Sequence, residues 1–310
     1  MTRVAAVDCG TNSIRLLLCD LDPGDAAQRD IERRMEIVRL GEGVDETGTL
    51  APEALRRTFA VCDTFAAIIR AGGAEAVRFC ATSAARDARN AGEFAAGVRE
   101  RFGVDPEVLT GAEEAALSYH GAMRDLPGLA APTLVVDIGG GSTELILGDG
   151  LATVPAYARS VDIGSVRLTE RYLRSDPPDS DEVEAARDDA ARAIDGAALD
   201  WTSVRSVVGV AGTVTTVAAH ALGLSGYDSA RIHHARLPIH VVRSSCAELL
   251  AATVAQRTAM PFMHPGRADV IGGGALVLEV VLGRVVDAGG RSDLVVSEHD
   301  VLDGIAWSVA

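Results

Sequence analysis

At 310 residues with 48% hydrophobic side chains, the chain is long enough for two domains, each with its own core. Its 29 basic against 44 acidic residues give a formal charge of -15, which argues against non-specific nucleic-acid binding and against a basic membrane-surface protein. Every basic residue among those is arginine, so a P-loop lysine, a Schiff-base lysine and a protein-kinase type ATP clamp are all excluded.

Residues 4–7 and 14–21 read as two strands joined by a turn that carries Asp8, Gly10, Thr11, Asn12 and Ser13. Residues 22–30 read as a loop and 31–40 as a third strand with one wet face. Leu55, Phe59, Cys62, Phe65 and Ile69 then recur at helical spacing, with Pro52 in the first turn and Gly72-Gly73 at the end. A strand at 76–82 runs into a segment holding Arg86 and Arg89, and the next helix carries Phe94, Val98 and Phe102, with Gly103 as its C-cap. A short strand within 104–110 leads to a helix that starts at Gly111 with Glu113 and Glu114 in its first turn and runs to about Met123.

After a linker at 126–132, residues 133–147 read TLVVDIGGGSTELIL and repeat the opening pattern: a buried strand ending in Asp137, a turn of Gly139, Gly140, Gly141 and Ser142, then Glu144 and a second strand. A further strand is expected near 151–158, followed by a helix from the segment containing Ile163, Gly164 and Arg167. Ser180 is placed to cap a long helix running to about Leu199. A buried strand at 204–208 meets Gly209, Gly212 and Thr213 before a helix at 214–222. Ser245 and Glu248 have capping-box spacing ahead of another helix. Gly272, Gly273 and Gly274 precede an apolar helix at 276–282, Val285 and Val286 start the last strand region, and Ser297 is placed to cap a terminal helix.

Both halves thus read strand, strand, strand, helix, strand, helix, with the two glycine turns about 130 residues apart. This is a duplication of architecture rather than of letters, and it predicts an α/β protein of two domains, 1–130 and 131–310, with a cleft between them. Return of the last helix to the first domain is left open.

Glycine turns after strands let backbone N–H groups approach an anion, and the hydroxyl residues beside them add donors. Gly10, Thr11, Asn12, Ser13, Gly139, Gly140, Gly141 and Ser142 are therefore candidate phosphate ligands, and Gly212 and Thr213 fit either a second anion or nucleotide contact or close helix packing. Asp8, Asp137 and Glu144 are candidate Mg²⁺ ligands, since Mg²⁺ combines few carboxylates with water and phosphate oxygens. Taken singly, an Asp before a glycine is as readily a turn cap; its repetition in both halves favours the metal reading. Glu113 and Glu114 fit either a water-activating base or an acidic pair favoured by the helix dipole. Arg86, Arg89, Arg167 and Arg267 fit either phosphate contacts or surface and structural roles. His233, His234 and His240 form no metal-binding sequence pattern and read as structural or exposed. The five cysteines are scattered without a C-x-x-C pair, as expected of reduced, mostly buried thiols in a cytoplasmic protein, and neither a signal pattern nor a membrane-length apolar run is evident.

The segments DCGTNSIRLL, TSAARDARN, GAEEA, DIGGGSTEL and GVAGTVTT, in this order, resemble the exopolyphosphatase / guanosine pentaphosphate phosphohydrolase (Ppx/GppA) family. Arg267, Asp269 and the glycines that follow match a later motif of that family. The resemblance implies two ribonuclease H-like domains of the actin/sugar-kinase/chaperone ATPase superfamily. It also implies Mg²⁺-dependent release of terminal phosphate from inorganic polyphosphate, or of the 5′ γ-phosphate from guanosine pentaphosphate, and a homodimer. The family's catalytic glutamate falls on Glu114, with Glu113 in reserve; Asp8, Asp137 and Glu144 take the metal, with Ser13, Arg86 and the glycines on phosphate. The chain resembles the short actinobacterial type that lacks further helical domains, so short polyphosphate is the expected substrate. Leu302 stands where the family has an arginine. The rival readings are an ATP-dependent phosphotransferase and a non-catalytic polyphosphate or alarmone sensor. They would show themselves by nucleotide-dependent phosphorylation and by tight binding without phosphate release.

Overall fold

The computed structural model describes residues 1–310 apart from 23, 25, 26, 127, 151–154, 290, 291 and 310. The chain divides into two compact units, one made of Met1–Gly121 with Val301–Ala310 and the other of Ala122–Asp300.

In the first unit the order is β1 (Thr2–Cys9), β2 (Ser13–Asp22), β3 (Ala27–Ile37), α1 (Val44–Thr47), α2 (Pro52–Gly72), β4 (Ala76–Ala81), α3 (Ser83–Asp87), α4 (Ala91–Phe102), β5 (Glu107–Val108) and α5 (Gly111–Met123). The sheet order is β3-β2-β1-β4-β5, with β1 antiparallel to β2 and parallel to β4. Its central strands are apolar on both faces because both are covered. Ala5, Val7, Ile14, Leu16 and Leu18 pack with Leu55, Phe65 and Ile69 of α2 and Phe94 and Val98 of α4. Val4, Ala6, Leu17 and Cys19 point the other way, with the period of two that a strand imposes.

That second face is covered in part by the end of the chain. Helix α13 (Val301–Trp307) contributes Val301, Leu302, Ile305 and Ala306 to the same cluster. Leu302 is thus a core residue here. The helix is fixed by buried Asp303, which accepts from Arg33 of β3 at 2.5 Å, and by Trp307 Nε1, which donates to Gln28 at 2.8 Å. Gly304 lets α13 lie on α5: a Cβ there would stand 2.0 Å from the Leu117 carbonyl oxygen. Gly304→Ala must separate two backbones, and we expect it to lower unfolding stability by at least about 2 kcal/mol, read from the urea midpoint.

The second unit follows the same plan. Its order is β6 (Thr133–Ile138), β7 (Thr143–Gly148), β8 (Tyr157–Val161), α6 (Ser165–Arg171), α7 (Ser180–Gly196), β9 (Ser206–Val210), α8 (Ala211–Ala221), α9 (Ser229–Ile232), β10 (Arg236–Pro238), α10 (Ile239–Ala251), α11 (Val254–Thr258), α12 (Ile271–Asp287) and β11 (Asp293–Val296). The sheet runs β10-β11-β9-β6-β7-β8. Read from its other edge, β8-β7-β6-β9-β11 repeats the order and the strand directions of the first sheet, with β10 added.

Several local expectations are corrected. The loop expected at 22–30 is largely strand, because β2 extends to Asp22 and β3 begins at Ala27. The strand expected near 151–158 begins at Tyr157; residues 151–154 lie outside the described residues. Asp179, not Ser180, caps α7, in a reciprocal box with Glu182. Ser245 and Glu248 lie inside α10 rather than before it. Val285 and Val286 belong to α12 and not to a strand. Ser297 accepts from the His299 N–H at 3.0 Å four residues before α13, so it closes a turn instead of capping that helix. Gly272, Gly273 and Gly274 form the first turns of α12 itself. There a Cβ on Gly273 would lie 2.7 Å from the Ser165 carbonyl and one on Gly274 2.6 Å from Thr213 Oγ1, so these glycines serve close packing against α6 and α8.

No helix among the described residues is long and apolar enough to cross a membrane.

Candidate active site

Each unit carries one glycine hairpin, and the two are built alike. Asp8 is the penultimate residue of β1, and the Gly10 N–H donates to the Ser13 carbonyl at 2.9 Å; Asp137 is the penultimate residue of β6, and the Gly139 N–H donates to the Ser142 carbonyl at 3.0 Å. In both, the residue seven positions after the aspartate stands directly opposite it across the strand pair: Arg15 opposite Asp8, Glu144 opposite Asp137.

This one difference sets the electrostatics. Arg15 donates to Asp8 Oδ2 from Nε at 2.9 Å and from Nη2 at 2.7 Å, so the carboxylate of the first hairpin has a cation built in. In the second hairpin two buried carboxylates share the position. Like charges directly opposite on a sheet are destabilising, more so when buried, and a divalent cation resolves the conflict. Ser160 Oγ donates to Glu144 Oε1 at 2.7 Å and orients it. Of the three carboxylates expected to bind metal, Asp137 and Glu144 stand opposite each other and offer the oxygen ligands that Mg²⁺ takes, and Asp8 meets Arg15.

The turns are held by their carbonyls. Asn12 accepts from the N–H groups of Val38 and Arg39, and Thr11 from that of Gly41. The Thr11 hydroxyl lies 2.8 Å from that of Ser83, the first residue of α3, which ties the hairpin to the helix after β4. Asn12 Oδ1 is buried without a hydrogen-bond partner, an arrangement suited to an amide kept for a ligand. In the second hairpin the Gly140 carbonyl accepts from the N–H groups of Val166 and Arg167, and Arg167 Nε donates to the Gly141 carbonyl at 2.8 Å. Arg167 thus braces the turn. Gly164 has to be glycine, since a Cβ there would stand 2.5 Å from the Gly140 carbonyl oxygen.

Asp137 pairs in register with Val210, and the next residue, Ala211, adopts a left-handed φ of 66° to turn the chain into α8. Such a conformation in a non-glycine residue costs free energy and concentrates at functional turns. Gly212 and Thr213 follow in the first turn of α8, and the Arg267 guanidinium lies so close over Gly212 that a Cβ would come within 2.4 Å of it. Arg267 is therefore packed onto the expected anion contact.

Glu113 and Glu114 are separated by their surroundings. Glu113 is exposed, and its carboxylate accepts from the Thr110 N–H at 2.9 Å and from the Thr110 hydroxyl at 2.7 Å, closing the start of α5. Those bonds hold its carboxyl below the usual range. Glu114 is only 7% exposed and lies 3.4 Å from Nη1 of Arg86, which also donates to the Leu109 carbonyl at 2.7 Å. Arg89, by contrast, donates to the Thr47 carbonyl at 2.9 Å and packs under Gly48. The first unit thus brings Glu114 and Arg86 together and sets Glu113 and Arg89 to structural bonds.

All five cysteines are free and buried, and burial pushes the thiols of Cys19, Cys62 and Cys80 up to about 12, which argues against a thiolate nucleophile. One cluster was missed by the sequence reading. His233 Nε2 and His299 Nδ1 lie 2.8 and 3.1 Å from Asp125 Oδ2, with His234 Nε2 3.5 Å from Asp125 Oδ1. No local spacing announces it, because its members come from three separate segments.

The model of the Ppx/GppA phosphatase family matches residues 22–308. The chain is 48% identical to Exopolyphosphatase 2 of Mycobacterium tuberculosis, over 100% of this chain and 99% of that protein. Among solved structures, an exopolyphosphatase-like protein superposes with a TM-score of 0.96 at 41% identity, covering 100% of this chain and 98% of the other. The Aquifex aeolicus PPX-GPPA enzyme does so with a TM-score of 0.81 at 29% identity, covering 99% of each chain.

Proposed function

Because the chain belongs to the Ppx/GppA phosphatase family, we propose that it is an exopolyphosphatase, an acid anhydride hydrolase that removes the terminal phosphate of inorganic polyphosphate with Mg²⁺ as cofactor. The observation that carries this reading is the separation of the two glutamates: Glu113 closes its helix, while Glu114 is buried beside Arg86. The name of the Mycobacterium tuberculosis relative, which aligns over the full chain, supports the choice of polyphosphate.

In this mechanism Glu114 orients a water molecule and takes its proton as the oxygen attacks the terminal phosphorus. The bond from that phosphorus to the bridging oxygen breaks, and the shortened chain leaves with the electron pair. Arg86 keeps the Glu114 carboxylate in place and offers its remaining N–H groups to phosphate oxygen. Each unit offers its own hairpin turn as a set of fixed donors for phosphate oxygen, Gly10, Thr11, Asn12 and Ser13 in the first and Gly139, Gly140, Gly141 and Ser142 in the second, with Gly212 and Thr213 beside the second. Asp137 and Glu144 would hold Mg²⁺, which when bound neutralises charge on phosphate oxygens. Asp8, tied to Arg15, then serves to shape its turn and order water near it.

The test is phosphate release from polyphosphates of defined length, with guanosine pentaphosphate in parallel. Mg²⁺-dependent release that is faster from polyphosphate supports the reading, and the ranking over chain length fixes the preferred substrate. Faster release from guanosine pentaphosphate would transfer the proposal to that substrate. Tight binding of polyphosphate with no release would replace it by a sensor.

A further inference from the structure

The second unit holds a cluster of His and Asp side chains that shares no residue with the hairpins. Asp125 follows α5, His233 and His234 follow α9, and His299 follows β11. One ligand atom from each of Asp125, His233 and His299 lies within 4.8 Å of the others. The His233 ring centroid lies 3.8 Å from that of His234 and 4.7 Å from that of His299, with both pairs tilted, so the imidazoles are crowded around one carboxylate.

Hydrogen bonding alone accounts poorly for this arrangement. Both imidazole nitrogens converge on the same oxygen, Oδ2, while Oδ1 is buried and has no hydrogen-bond partner. A metal ion uses such a set fully. We propose that Asp125, His233 Nε2 and His299 Nδ1 form a site for Zn²⁺ or a similar first-row divalent cation. Two imidazoles and a carboxylate suit Zn²⁺, which takes nitrogen and oxygen ligands at about 2.0–2.2 Å in a tetrahedron. They do not suit Mg²⁺, which keeps oxygen ligands and water.

Ligation has a local consequence. His233 Nδ1 now accepts from the Glu298 N–H at 3.1 Å, so its proton sits on Nε2. When Nε2 binds the metal, the proton moves to Nδ1 and the Glu298 amide turns away. The chain passes between the units after Gly121 and after Asp300. Asp125 and His299 lie on the second-unit side of those two passages, so a bound ion ties together the stretches by which the chain enters and leaves that unit.

The experiment is calorimetric titration of the tag-free, full-length protein with Zn²⁺ in excess Mg²⁺, with Co²⁺ absorption as a probe of coordination. We expect one equivalent of Zn²⁺, tetrahedral Co²⁺ bands, and a loss of affinity of at least about tenfold in both His299→Ala and Asp125→Asn. The Asp137→Asn variant should retain the same Zn²⁺ affinity, which separates this site from the hairpin pair. If either cluster variant fails to fold, the shift of the Glu298 amide resonance on Zn²⁺ addition to the wild type supplies the test. No Zn²⁺ uptake by the wild type in excess Mg²⁺, uptake unchanged in folded cluster variants, or a Glu298 amide that does not move would each overturn the site.

Discussion

Exchanging Glu114 for Gln is expected to lower the turnover of polyphosphate by at least about a hundredfold, the usual scale for loss of a general base, without a change in melting temperature. The amide keeps the size and shape of the carboxyl, so the packing of a side chain that is 7% exposed is preserved. It can still accept from Arg86, which is in any case anchored on the Leu109 carbonyl at 2.7 Å. What disappears is the capacity to take a proton from water. Glu113→Gln is the matched control. Its carboxylate accepts from Thr110 at 2.9 and 2.7 Å, and an amide oxygen serves that purpose with a loss of less than about 1 kcal/mol in the helix cap. Turnover should therefore stay within a few-fold of wild type. Equal losses in the two variants, or full turnover in Glu114→Gln, would remove Glu114 from the base role.

The sequence carried the hairpins well because their pattern is local. An apolar run, an aspartate, a glycine and a hydroxyl residue lie within eight positions of one another, and backbone geometry follows from them. It carried the layer order for the same reason: strands such as residues 4–7 are apolar at every position, which fits a sheet covered on both faces. What it did not carry depends on tertiary packing. Gly272, Gly273 and Gly274 read as preceding a helix, yet they form its first turns, where Ser165 and Thr213 approach too closely for a Cβ on Gly273 or Gly274. Asp179 and Ser180 are both good caps, and only the reach of Glu182 back to the Asp179 N–H decides between them. Glu113 and Glu114 are adjacent letters, and their different tasks follow from which of them meets Thr110 and which meets Arg86. The cluster of Asp125, His233 and His299 has members up to 174 positions apart, so no spacing rule reaches it.

The second large effect is expected at the other hairpin. Asp137→Asn should lower turnover by at least about a hundredfold and abolish the response of thermal stability to Mg²⁺. An ion that binds the folded protein and not the unfolded chain raises the melting temperature by mass action, so wild type should melt higher in Mg²⁺ than in chelator. In chelator, however, the two buried carboxylates face each other across the strand pair, and neutralising one relieves repulsion. The variant should then be at least as stable as wild type without Mg²⁺ and less stable than wild type with it. Glu144→Gln should behave alike, since its amide oxygen still accepts from Ser160. Asp8→Asn predicts the opposite pattern. It leaves Arg15 without the carboxylate it now meets at 2.7 and 2.9 Å, so stability falls whether or not Mg²⁺ is present, and the Mg²⁺-induced rise persists. These paired melting curves read the asymmetry between the hairpins directly. A wild type indifferent to Mg²⁺, or Asp137→Asn and Glu144→Gln variants that keep the full rise, would place the ion elsewhere. A lost rise in Asp8→Asn would show that Arg15 does not displace the metal from the first hairpin.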